Sequence, residues 1–472
     1  MWRSIVATPT SNSTPVSYVD PLATGLGRYL VDGEKWGGDL GQGVTLTFSF
    51  PVKGSFHTQP YGQYANAGEW LGFTTLSAGE RTAFKAGLAA WSAVADITFV
   101  EVADDAATVG ELRFAKTSYD TAGEYAHAYF PSYDPSSGDV WAGAANFNPA
   151  HSAVINAGSN EAATILHELG HALGLKHTFE GAYAIPVSLD NYNYSIMSYT
   201  AHTAGDDGLA SFYPTTPMFY DLVAIQALYG RNLSHNASDT TYTFNAGVNY
   251  WQTIDDAGGH DTIVYNGLAN SIIDLREAHF SSVSKPIVFS NGTSTRATVG
   301  IGPGSVIEDA VGGGGNDTLY GNDADNHLWG RAGSDTLGGG AGNDTLEGGV
   351  GNDRLFGAFG NDTLTGSTGA DAFYFTSAIA TAANIDTITD FTHGIDKIDL
   401  YHVIYNHLAI GVLNAAQLAF GTTAHDSNDR IVYDKAQGLL YFDADGTGAA
   451  AQVEFAAVKA GTVLTAVDFI IY

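Results

Sequence analysis

The sequence predicts an α+β domain followed by an all-β domain wound as a parallel β-roll. Three observations lead there. Strand-like and helix-like patterns are mixed up to about residue 235; a nine-residue glycine- and aspartate-rich register runs from Gly312; and no cysteine is present to staple either half. At 472 residues the chain is too long for one ordinary core. The expected division is residues 1–20 as a flexible N-terminus or pro-segment, 21–235 as the first domain and 236–472 as the second.

In the first part, VTLTFSF (44–50) and ITFVEV (97–102) alternate as strands do and are expected to pair or neighbour in one sheet. Between them, LSAGERTAFKAGLAAWSAVA (76–95) reads as an amphipathic helix, with Ser77 as N-cap and Glu80 completing a capping box. DVWAGAANFN (139–148) is a weaker strand, rich in Ala and Gly, and is expected at a sheet edge. Ser159 or Asn160 starts a helix that runs into ILHELGHALGLKH (165–177). YDLVAIQALYG (220–230) is a last helix closed by its terminal glycine.

Helical patterns then nearly vanish. Seven nine-residue units occupy 312–374 without insertion, from GGGGNDTLY to GSTGADAFY. Their eighth position is Leu319, Leu328, Leu337, Leu346, Leu355, Leu364 and Phe373, which fill a narrow interior. Their sixth is Asp317, Asp335, Asp344, Asp353, Asp362 or Asp371, except in the second unit, where Asn326 follows Asp325. Glycines permit tight turns that bring carbonyl oxygens together, and with the carboxylates they build cages for hard cations. The expected Ca²⁺ positions are those six aspartates with Gly313, Gly315, Gly330, Gly340, Gly342, Gly349, Gly351 and Gly360. A flexible linker would not hold phase through seven units. Without calcium the carboxylates repel one another, so this region should be largely unfolded. FYF (373–375), DTITDF (386–391), DKIDLYHVI (396–404), RIVYDKAQGLLYFDADG (430–446) and QVEFAAV (452–458) read as strands and hairpins that cap the roll.

Net charge is −31, from 19 basic against 50 acidic residues, which argues against nucleic acid or anionic membranes as partners. No apolar run is long enough to span a bilayer, and the N-terminus lacks the apolar core of a conventional export signal. A monomer is expected.

The chemistry concentrates in ILHELGHALGLKH. His167 and His171 are four apart and share one helix face. Gly174 can stop the helix in a left-handed conformation, so that His177 turns back toward the other two. Three imidazoles with room for water is the layout of an open, catalytic zinc site. Glu168 is placed to take a proton from that water. A lone buried histidine is usually a satisfied core residue; five matched residue types are a different matter.

The pattern H-E-x-x-H-x-x-G-x-x-H resembles that of the metzincins, whose downstream methionine turn is matched by Met197 in SIMSY (195–199). Tyr199 matches the tyrosine that ligates zinc at rest in serralysins and astacins and then stabilises the oxyanion. Together with the roll, these features resemble the serralysins, secreted bacterial metalloendopeptidases. KWGGDLGQGVTLTFSFP, YDLVAIQALYG and DFTHGIDKIDL carry the likeness further. Residues 254–280 resemble that family's calcium-binding entry into its C-terminal domain, which implies Asp256, Gly258, Asp261 and Glu308 as ligands.

The resemblance implies one catalytic Zn²⁺, several structural Ca²⁺ ions and endopeptidase activity on proteins and peptides. Substrate is expected to bind as an extra strand along an edge such as 139–148, and main-chain pairing of that kind gives broad specificity. The resemblance also implies a short pro-segment and type I secretion through an uncleaved signal near DFIIY (468–472), with a small proteinaceous inhibitor as a candidate partner. Two departures stand out. Thr178 replaces the proline that usually follows the third histidine, and RNLSHNASDT (231–240) replaces a short arginine-containing calcium loop, so no calcium is expected there. The alternative from another class is a calcium-folded adhesin or surface scaffold with a vestigial protease half.

Overall fold

The computed structural model describes residues 15–52, 72–105, 108–117, 126–131, 139–143, 155–202, 209–378 and 384–472. They form two compact units. The first contains the chain to Ala237 together with Asn249–Ala257 and Pro286–Gly304; the second contains Ser238–Val248, Gly258–Lys285 and Ser305–Tyr472. The first crossing lies two residues beyond position 235, but two later stretches return to the first unit.

In that unit, β1 (Val44–Ser49), β2 (Ile97–Glu101), β3 (Leu112–Thr117), β4 (Ala126–Ala128) and β5 (Asp139–Gly143) lie in the order β2-β1-β3-β5-β4. The β1–β2, β1–β3 and β3–β5 pairings are parallel and β4 is antiparallel to β5. The expected neighbours 44–50 and 97–102 therefore pair directly. The edge assignment of 139–148 is corrected: β5 has a partner on each side, and the strands at the two ends of this order among the described residues are β2 and β4. Alanine and glycine offer an inner strand little packing surface, yet Val140 and Trp141 bury there. Residues 144–148 of that stretch lie outside the described residues.

Among the described residues the unit also has three α-helices: α1 (Ala78–Val94), α2 (Asn160–Ala172) and α3 (Phe219–Tyr229). Ser77 caps α1 and the Glu80 carboxylate accepts the Ser77 N–H at 2.6 Å. Its other oxygen takes Lys116 of β3 at 2.7 Å, which ties the start of α1 to the sheet. Phe84, Leu88 and Trp91 are buried at three- and four-residue spacing, and Phe84 stacks on Phe114 of β3 at 4.9 Å. A Cβ on Gly87 would lie 2.8 Å from Leu169, so glycine lets α1 approach α2 closely. Trp91 Nε1 then donates to the Leu166 carbonyl at 3.1 Å. At the N-terminus, Val16–Tyr18 pairs with Glu34–Trp36, and Val16 and Val19 are buried in the unit's core.

The second unit is the parallel β-roll. Successive nine-residue units feed two sheets alternately, so each residue stacks on the one eighteen positions later. Leu319, Leu337, Leu355 and Phe373 align in one sheet and Leu328, Leu346 and Leu364 in the other. All seven are fully buried. Beyond the roll, Phe373 continues to Ile398 and Phe469, and Leu364 to Ile388. The terminal strand Phe469–Ile471 is thus part of the sheet. The hairpin of Ile431–Asp434 with Leu439–Phe442, joined by Val453–Val458, extends the other sheet. After Tyr229 the described residues contain no α-helix. None of their helices is long and apolar enough to cross a membrane.

Candidate metal and catalytic site

The Ser159 hydroxyl accepts the Ala162 N–H at 3.2 Å and starts α2, which carries His167, Glu168 and His171, all buried. The helix ends at Ala172, and Gly174 takes φ +101°. The Leu175 N–H closes back on the Gly170 carbonyl at 2.9 Å. The returning chain is then pinned by residues 30–32, with Lys176 N–H donating to Leu30 at 2.7 Å and Asp32 N–H to Gly174 at 3.0 Å. A Cβ at position 174 would sit 2.5 Å from the Glu34 carbonyl. Gly174→Ala should therefore cost about 1–3 kcal/mol through backbone strain and the clash. It should also loosen His177, seen as a lower melting temperature together with weaker zinc retention.

The three histidines meet. The His171 and His177 Nε2 atoms are 3.1 Å apart, and one ligand nitrogen from each of the three rings lies within 4.8 Å of the others. His167 Nδ1 faces the Ile196 carbonyl at 2.9 Å and His171 Nδ1 the Leu175 carbonyl at 2.6 Å. A carbonyl can only accept, so both Nδ1 atoms carry hydrogen and both Nε2 atoms present lone pairs. His177 Nδ1 lies 2.8 Å from the Glu180 carboxylate. Three lone pairs turned toward one point repel unless a cation lies between them. The residues fit a metal ion. Burial pushes the His167 pKa down to about 4 and the His171 pKa well below the usual histidine range, so these rings stay neutral and able to ligate at pH 7.

Tyr199 places its hydroxyl 2.8 Å from His177 Nε2 and is itself 57% exposed, so it has room to move. Met197 is fully buried below α2, where a Cβ on Gly170 would meet its sulfur at 2.6 Å. Glycine at position 170 thus admits the methionine floor. The turn that carries them is anchored by Asp221 of α3, which accepts the Ser195 hydroxyl at 2.6 Å and the N–H groups of Ile196 and Met218 at 2.7 and 2.8 Å. Burial raises the Asp221 pKa to about 7. Asp221, Glu180, Gly170 and the 30–32 segment all escaped the sequence reading. Asp221 and Glu180 lie outside the short motif and acquire meaning only through contacts across the fold. Phe130, edge-on to His171 at 5.2 Å, and Phe179, stacked on His177 at 5.0 Å, also belong to the site's wall. His127 on β4 packs against Tyr129, and His202 stacks on Phe289; neither joins the triad. His57 lies outside the described residues.

In the roll, Asp317, Asp335, Asp344, Asp353, Asp362 and Asp371 are at most 2% exposed. One oxygen of each accepting aspartate takes an N–H eighteen residues earlier: Asp335 from Asp317, Asp353 from Asp335, Asp371 from Asp353, Asp344 from Asn326 and Asp362 from Asp344, at 2.7–2.9 Å. The second oxygens of Asp335, Asp344, Asp353 and Asp362 are buried and accept no hydrogen bond. Gly340, Gly342, Gly349, Gly351 and Gly360 have positive φ. Gly313, Gly315 and Gly330 do not; they serve close approach, and a Cβ on Gly330 would lie 2.4 Å from the Asp335 carboxylate.

Of the earlier stretch, Asp256 and Asp261 are buried, Asp261 accepts the Thr240 N–H at 2.7 Å, and Glu308 accepts the Asp261 N–H at 2.7 Å. Gly258 has φ +140°. Arg231, at the head of 231–240, donates to the Asp256 and Gly304 carbonyls at 2.5 and 2.8 Å.

Comparison with known proteins agrees with this geometry. Residues 74–203 match the Matrixin family model, 161–248 the Met-zincin model and 224–471 the model of the peptidase M10 serralysin C terminal. The chain is 37% identical to serralysin of Proteus mirabilis over 419 residues, which covers 80% of this chain and 79% of that protein. It is 33% identical to the metalloprotease AprA of Pseudomonas entomophila strain L48, covering 93% and 87% of the two chains. It is 32% identical to the metallopeptidase AprA of Pseudomonas marginalis, covering 67% and 68%. Matrixin and Met-zincin domains imply a catalytic zinc, for which the histidine triad is the fitting donor set. A helix that breaks at a glycine to close a histidine triangle, continued by a β-roll of the matching kind, makes this chain a metalloendopeptidase of the serralysin family.

Proposed function

We propose that the chain is an exported endopeptidase of broad specificity, with one zinc held by His167, His171 and His177, approached by Tyr199 at rest, and with a calcium-loaded roll as its stabilising domain. The observation that carries the reading is the convergence of imidazole lone pairs, two of them 3.1 Å apart. Zinc bound there would supply Lewis acidity, lowering the pKa of water and polarising a carbonyl. Glu168 takes a proton from the attacking water and delivers it to the departing amine. The Tyr199 phenol, exposed beside His177, donates to the carbonyl oxygen as it gains charge.

Substrate adds as an extended strand along β4, which ends the sheet among the described residues and packs beside α2. Main-chain pairing of that kind selects little for side chains, which supports broad specificity. In the second unit, the buried aspartate oxygens and glycine carbonyls hold calcium, and Gly258, Asp261 and Glu308 take part in the entry site. Export then follows the metal: the roll stays open where calcium is scarce and folds outside, after passage through a type I machinery.

Elemental analysis should find one zinc per chain. A zinc-selective chelator should abolish casein hydrolysis, zinc should restore it, and His177→Ala should lose both metal and activity. Full hydrolysis by metal-free protein would refute the assignment.

A further inference from the structure

The residue that departs from the serralysin pattern after the third histidine has a partner. Thr178 is fully buried and donates its hydroxyl to Asp190 Oδ1 at 2.5 Å. The same oxygen accepts the hydroxyl of Ser198, 1% exposed, at 2.6 Å. Thr178 directly follows His177, and Ser198 directly precedes Tyr199. One carboxylate oxygen therefore joins the two chain segments that carry the third imidazole and the phenol. Each segment is fixed on its own side as well: the Thr178 carbonyl accepts the Ile185 N–H at 2.8 Å, and Ser198 Oγ accepts the Thr200 N–H at 3.0 Å.

We propose that Asp190 is a positioning residue that, through Thr178 and Ser198, sets the Tyr199 phenol against His177. The inference rests on the roles given above to His177 and Tyr199. Two charge-assisted hydrogen bonds to one oxygen make a short, stiff bridge, roughly twice as strong per bond as neutral ones. The bridged groups are close: Tyr199 Oη lies 2.8 Å from His177 Nε2, with Phe179 packed against both rings at 5.0 and 5.1 Å. A proline at position 178 could not supply this hydroxyl, so the threonine gives this chain a tether the usual sequence lacks. The consequence lies in alignment, where displacement on the order of 1 Å costs up to ~10²-fold in rate.

The test uses the full chain with copper(II) in place of zinc, because phenolate ligation to copper produces a visible charge-transfer band that Tyr199→Phe must abolish. Thr178→Val, isosteric without the hydroxyl, and Asp190→Ala should each weaken the band per bound copper. In the zinc protein they should lower kcat about tenfold with KM nearly unchanged, the signature of lost transition-state alignment. Thr178→Ser and Asp190→Asn, which keep donor and acceptor, should restore both readouts. Should Asp190→Ala fail to fold, Thr178→Val alone decides. A wild-type band and wild-type kcat in folded Thr178→Val would overturn the proposal while leaving the role of Tyr199 intact. A wild-type protein with no band beyond that of Tyr199→Phe would overturn the role of Tyr199 and the proposal with it.

Discussion

Glu168→Gln should retain zinc and the wild-type melting temperature while casein hydrolysis falls by ~10²–10⁴-fold, the usual contribution of a positioned proton carrier. The substitution keeps shape and volume, so it adds no cavity to a site where Glu168 is 6% exposed. It removes only the ability to take and return a proton. His167 and His171 are held by the Ile196 and Leu175 carbonyls rather than by Glu168, so metal content should not move. Zinc analysis, thermal melting and a hydrolysis assay on one preparation separate these effects. Hydrolysis at the wild-type rate would remove Glu168 from the reaction.

Calcium and protons should compete for the roll. Burial raises the pKa of Asp335 and Asp344 to about 7 and that of Asp371 to about 6, from 3.8. Each therefore binds more protons folded than unfolded between about pH 4 and 7. Stability of the calcium-free roll is then greatest in acid and is lost as pH rises through 6–7, where folded aspartates must ionise against burial and one another. Calcium reverses the sign, because it binds the deprotonated carboxylates and its affinity rises with pH. Circular dichroism of chelated protein should show β-structure gained on acidification from pH 8 to 5, and gained at pH 8 on adding calcium. Spectra indifferent to both would count against the cation cages.

The parts of this picture that were legible share one property: their information is local or periodic. The nine-residue phase survives translation into stacked leucines because a solenoid repeats its own contacts. Likewise the four-residue spacing of His167 and His171, and the positive φ of Gly174, are properties of a few consecutive residues. What stayed hidden depends on partners far along the chain. Nothing near Asp221 announces that it holds a turn 25 residues earlier, and nothing near Leu30 announces that its carbonyl steadies Lys176. The position of 139–143 inside the sheet failed for the same reason. Strand order is decided by tertiary neighbours, and β4, three residues long, is too short to leave a pattern.

The eighteen-residue coil of the roll sets a unit of growth. Because consecutive nine-residue units face opposite sheets, removing a single one would send every later strand, the capping strands included, to the opposite wall. Removing two together would simply shorten the stack. A roll lengthened or shortened in steps of one full winding therefore keeps its capping strands on their own walls.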